Sequence, residues 1–159
     1  MPAHKRGTLH VKPASSYVAG RPETSAIVAH IHDFFDQYGS VFVDLAAGKR
    51  SDLEALLQFY GAPFRYIGED FHKVMMDSAA ITGPDGIGGE IAKLHHVHYS
   101  GSTLDTCEVT LLNNQAALVE ATWLRRDQDE ALMARFTVLY LVALTAEGWR
   151  ITTAVNTRE

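Results

Sequence analysis

The chain has 159 residues, 47% of them apolar and 21% charged, with a net charge of −5. Those figures describe one globular domain that can bury its own core, and they exclude a disordered, collagen-like or disulfide-dense chain. The acidic body lacks the phosphate-neutralising cations of a nucleic-acid binder, and no run reaches the ~18 apolar residues of a membrane helix or the apolar core of a secretory leader. We therefore expect no nucleic-acid partner, no membrane association and a cytoplasmic protein.

Residues 1–22 carry Lys5, Arg6, Lys12 and Arg21 with no acid, and they include Pro2, Pro13, Pro22, Gly7 and Gly20. No helical or strand period runs through them. They read as an extended basic N-terminal arm ahead of a single domain at 23–159. A helical period begins near Thr24, where Ile27, Ile31, Phe34, Phe35, Tyr38, Phe42 and Leu45 form one stripe and His30, Asp33, Gln37 and Ser40 face away. The stripe keeps its phase through Gly39, which predicts one long helix ended by Gly48. Ser51-Asp52-Leu53-Glu54 has the spacing of a capping box and predicts a short helix to about Tyr60.

Strands are expected at Phe64–Gly68 and His72–Met76. The stretch from Gly83 to Gly89 matches neither the phosphate-loop nor the dinucleotide spacing, so it reads as a turn into a third helix. The inner stripe of that helix would be Ile87, Ile91, Leu94 and His98. From Thr103 the period changes to two, predicting strands at Leu104–Leu112, Ala116–Arg126, Ala131–Thr145 and Trp149–Asn156. Helices first and strands afterwards give an α+β domain with the helices on one face of a strongly curved antiparallel sheet. The Ala131–Thr145 strand is apolar on both parities, so its second face needs a cover, and a homodimer through the outer sheet face is the expected one.

Three segments in this order resemble the nuclear transport factor 2-like superfamily, the SnoaL-like and ketosteroid isomerase-like cone fold. They are Ser51–Tyr60 leading into a strand, Val119-Glu120-Ala121-Thr122-Trp123 before a turn and a long strand, and Gly148-Trp149-Arg150-Ile151 opening the last strand. The resemblance covers residues 24–157. It implies a cone whose helices close one side of a bent sheet around an apolar pocket. Its members include isomerases, cyclases, dehydratases, hydrolases and non-catalytic partner-binding proteins. The isomerases' helix tyrosine, strand-end aspartate base and second aspartic acid fall near Phe42, Gly68 and Tyr140. Phe42 donates no hydrogen bond and Gly68 abstracts no proton, whereas Tyr140 keeps a donor.

The resemblance also sets the inner parity of each strand, turning Tyr66, Trp123, Tyr140 and Asn156 toward the cone. With Phe42 these make an expected ligand-binding set, suited to an apolar small molecule. The expected function is small-molecule binding, extending to cofactor-independent proton-transfer or water-addition chemistry with Tyr140 as hydrogen-bond donor and His98 as proton carrier. The alternative is a non-catalytic binding or assembly module that works through the sheet face or the arm. His95 and His98 would share a helix face but find no third ligand, so no metal is expected and no cofactor is called for. Cys107 has no basic residue near it in sequence and reads as an inert thiol.

Overall fold

The computed structural model describes residues 22–158, and side chains from Thr24; the expected arm thus lies, except for Pro22, outside the described residues. The long helix, α1, runs Pro22–Ala46. It buries Ile31, Phe34, Phe35, Tyr38 and Leu45 and leaves Asp33, Gln37 and Ser40 exposed. Gly39 sits mid-helix because the Trp123 ring presses on it: a Cβ there would come within 3.1 Å of the indole.

The capping box does not form. Leu53–Gln58 is a 3₁₀ turn with no side-chain cap, and Asp52 instead takes both guanidinium hydrogen bonds of Arg50 at 2.7 and 2.6 Å. Strand β1 (Tyr60–Ile67) starts four residues before the expected Phe64, and β2 (His72–Met75) follows. A short helix α2 (Ser78–Thr82), absent from the sequence reading, is capped by the Asp77 carboxylate on Ala80 N at 2.8 Å. Helix α3 spans Ile87–His95. The glycines at its start permit close contact with α2: a Cβ on Gly88 would lie 2.0 Å from the Thr82 carbonyl oxygen, and one on Gly89 would lie 1.8 Å from that of Pro84. Strands β3 (Tyr99–Asn113), β4 (Ala116–Asp127), β5 (Leu132–Thr145) and β6 (Gly148–Asn156) complete the domain.

The sheet order is β2-β1-β6-β5-β4-β3. The expectation of an antiparallel sheet is corrected at one joint, because β6 runs parallel to β1. The β3–β6 meander leaves β6 with one free edge, and β1, arriving after the long helix, fills it in the same direction. The helices and the inner sheet face share one core that includes Phe35, Leu56, Phe64, Ile81, Val119, Val142 and Ile151. Among the described residues no helix is long and apolar enough to cross a membrane.

Candidate functional site

The alternation of β4, β5 and β6 decides what faces the helices. Register pairs Val119 with Tyr140, Ala121 with Val138 and Trp123 with Phe136, while Ala154 lies opposite Tyr140 on β6. All of these except Phe136 are buried, as the inner parity predicted. Helix α1 does not close fully on this face. Between them lies a cavity of about 630 Å³, walled by Tyr38 and Phe42 of α1, Tyr60, Phe64 and Tyr66 of β1, Ile87 and Leu94 of α3, and Trp123, Val138, Tyr140 and Ala154 of the sheet.

The expected ligand-binding residues Phe42, Tyr66, Trp123 and Asn156 all line this cavity, together with Tyr140. Asn156 Nδ2 donates to the Tyr66 hydroxyl at 3.1 Å, joining β6 to β1 across the wall. Trp123 Nε1 donates to the Tyr140 hydroxyl at 3.1 Å. Tyr140→Phe therefore leaves a buried indole N–H without an acceptor, which costs about 1–3 kcal/mol. Chemical denaturation should register that loss, and an unchanged midpoint would show that the bond contributes nothing.

His98 is not brought to the site. Helix α3 ends at His95, and His98 takes a left-handed backbone conformation (φ 56°) with its side chain exposed outside the cavity wall. The inner stripe of α3 consequently stops at Leu94. His95 and His96 are exposed neighbours with rings 6.0 Å apart, and among the described residues no three metal-ligating side chains converge. Cys107 lies half-buried on the inner parity of β3; burial, aided by the Asp36 charge, pushes its thiol up to about 11, so it is protonated at neutral pH.

Two further tyrosines of the cavity wall were not singled out from sequence. Tyr38 stands one turn before Phe42 on the α1 stripe, and Tyr60 sits at the first position of β1. Their hydroxyls meet at 2.5 Å, and the Tyr38 ring packs within 6.3 Å of those of Tyr140, Tyr60 and Trp123. Burial, and then the proximity of the other hydroxyls, raises Tyr38, Tyr60 and Tyr140 well above the ordinary tyrosine value. All three stay neutral at physiological pH. Three hydroxyls carry three protons, and the Tyr38–Tyr60 bond uses one. Tyr140 accepts from Trp123 and is in turn hydrogen-bonded to Tyr38, so one of the three protons is left free.

That free proton borders the same cavity and makes it a neutral donor site for a ligand oxygen. Among the described residues the only acid on the wall is Glu90, held by Lys93 at 3.4 Å and Lys73 at 3.6 Å, and no histidine or cysteine lines it. Gly68 stands near the isomerases' base position, with its amide donating to the Phe71 carbonyl at 2.9 Å. Nearby Glu69 is ion-paired with Arg158 instead.

Residues 25–159 match the family described as NTF2-like protein (DUF6841). No curated protein matches the chain. Among solved structures, it resembles an NTF2-like superfamily protein from Salmonella enterica serovar Typhimurium at 17% identity, covering 84% of this chain and 92% of that one, with a TM-score of 0.60. An NTF2-like protein with a cystatin-like fold from Novosphingobium aromaticivorans aligns over 87% and 90% at 17% identity and a TM-score of 0.59. A Shewanella frigidimarina protein provisionally named a ketosteroid isomerase aligns over 79% and 92% at 11% identity and a TM-score of 0.55. At these identities the likeness is one of fold.

Proposed function

We propose that this chain, which belongs to the NTF2-like family DUF6841, is a small-molecule-binding protein whose cone receives a planar, largely apolar ligand and holds one of its oxygens on tyrosine hydroxyls. The observation that carries this reading is the pairing of an aromatic-walled cavity of about 630 Å³ with the unused proton of the linked Tyr38, Tyr60 and Tyr140 hydroxyls. That volume lies within the usual range of small-molecule sites, and a few convergent polar groups on an apolar wall fix orientation. Among the described residues Glu90, the carboxylate on the wall, is held by Lys93 and Lys73, and no imidazole lines the cavity. This favours binding over isomerase chemistry, because neutral hydroxyls polarise a carbonyl but remove no proton.

A thermal-shift comparison of 2-tetralone with tetralin tests the reading. The two share shape and apolar area and differ by one acceptor oxygen. A ligand that binds the native state at 100 times its dissociation constant stabilises it by about 2.7 kcal/mol. The ketone should bind several-fold more tightly, through one neutral hydrogen bond of about 0.5–1.5 kcal/mol. If neither compound raises the melting temperature at millimolar concentration, the cone is not a binding site of this kind.

The outer sheet face belongs to the same proposal. Leu118 pairs with Leu141, and Leu139 with Val155; all four are partly exposed and lie outside the core. A second subunit covering this strip gives the two-fold symmetric dimer that such a self-complementary patch favours. Sedimentation at micromolar concentration should show a dimer, and Leu139→Lys should release a folded monomer. A wild-type monomer at that concentration would refute the assembly without touching the cavity.

A further inference from the structure

The mouth of the cavity carries a cation that the tyrosine site does not use. Arg125 lies on β4 two residues beyond Trp123 and so shares its inward parity; it lines the same cavity. Its guanidinium carbon stands 4.7 Å from the centre of the Phe136 ring. Its Nε is buried and has no hydrogen-bond partner among the described residues. Among the described residues no carboxylate pairs with it either: Asp105 is taken by Arg135 at 3.3 Å, and Glu90 by Lys93 and Lys73. Buried donors are nearly always satisfied, so an orphan on a cavity wall indicates a partner supplied from outside the chain.

Its surroundings fit an anion. Ser102 lies directly across the β3–β4 ladder from Arg125 and also lines the cavity. The Arg125 charge reaches the hydroxyls of Tyr66 and Tyr99, where it acts with their hydrogen bonds against the upward push of burial. Lys93 adds a second positive charge at the rim, next to Glu90. Stacking on Phe136 fixes the plane of the guanidinium, so a carboxylate meets a preorganised fork at reduced entropic cost.

Along the sheet, the register places Arg125 opposite Ala134, six residues from Tyr140 on β5. At ~3.3 Å per residue that is roughly 20 Å of strand, shortened by the side chains that reach inward from both ends. We infer that the ligand of this cone is an elongated aromatic monocarboxylic acid, its acid group held by Arg125 at the mouth and its far oxygen by the tyrosines within. This rests on the binding function proposed above and adds the charge class of the ligand.

The test compares 6-acetylnaphthalene-2-carboxylate with its primary amide, which keep the ketone and ring system and differ only in charge. Titration calorimetry on the wild-type protein should find the acid about ten- to a hundredfold tighter than the amide, the range of a charge-assisted hydrogen-bonded pair. Added salt should narrow that ratio. In Arg125→Met the acid should lose this advantage and fall to about the affinity of the amide. Arg125→Lys should keep part of it, since a point charge replaces the fork.

Equal binding of acid and amide to the wild type would overturn the inference and leave the cone a binding site for neutral ligands, with Arg125 only a lid on Phe136. An advantage that survives intact in Arg125→Met would also overturn it, assigning the anion to Lys93 or Arg135. Binding of neither probe would defeat the binding function itself, and the inference with it.

Discussion

Trp123→Ala should cost the fold about 3–5 kcal/mol, the range for deleting a buried aromatic side chain and leaving the space open. The indole is 6% exposed and touches both sides of the cone. Its ring lies against Gly39 of α1 and edge-on to Tyr38, at 6.1 Å between centroids, while its Nε1 supports the Tyr140 hydroxyl. Neither side can relax into the gap, because α1 is held along its length by Phe34, Phe35 and Leu45 and β4 is paired on both edges. For a chain of this size, each kcal/mol lowers the melting temperature by roughly 2–4 °C. Urea unfolding of the purified variant gives the figure directly, and a loss below about 1 kcal/mol would mean that the ring is not packed as described.

How much of this was legible in the sequence follows from what each signal depends on. The α1 stripe depends on a local period of 3.6 and the strands on a period of 2, and the resemblance to the cone fold chose which parity of each strand faces inward. Together they turned Phe42, Tyr66, Trp123, Tyr140 and Asn156 toward the cavity before it was seen. What failed depended on choices that spacing does not record. The Ser51–Glu54 spacing is a capping box on paper, yet Leu53–Gln58 winds as a 3₁₀ turn with no side-chain cap, and Asp52 pairs with Arg50. The direction of β6 against β1 is a matter of which edge is left free, and no local pattern records it.

His98 was lost because α3 ends three residues early, and Val97, one turn after Leu94, is exposed instead of packed on the core. Tyr38 and Tyr60 had visible signals, a hydroxyl inside the apolar stripe and an aromatic just ahead of Gly61. Each reads as ordinary core until the other is known to be 2.5 Å away. Arg125 was the more recoverable omission: a charge two residues past Trp123 on an inward-facing strand contradicts the binary pattern. Such local contradictions tend to mark functional positions.

Raising the pH should unfold the protein steeply from about pH 10, and the three buried tyrosines are the cause. In the unfolded chain Tyr38, Tyr60 and Tyr140 lose their protons near the ordinary value of ~10. In the folded chain burial holds all three well above it. Below pH ~10 both states keep these protons, and the stabilisation is fully present. Above it the unfolded state binds fewer protons than the folded one, so stability falls as pH rises through this window toward the folded-state values. Each such group contributes a slope of ~1.4 kcal/mol per pH unit, so the three together remove ~4 kcal/mol per unit while all remain protonated in the native state.

Phenolate absorbance near 295 nm should therefore rise in stages, with Tyr38, Tyr60 and Tyr140 ionising only as the circular dichroism of the fold disappears. Tyr38→Phe should make the fall shallower by about one-third. If all the tyrosines titrated together near pH 10 with the helix signal intact, the hydroxyls would be in contact with water, and the dry donor site assigned to the depth of the cone would not exist.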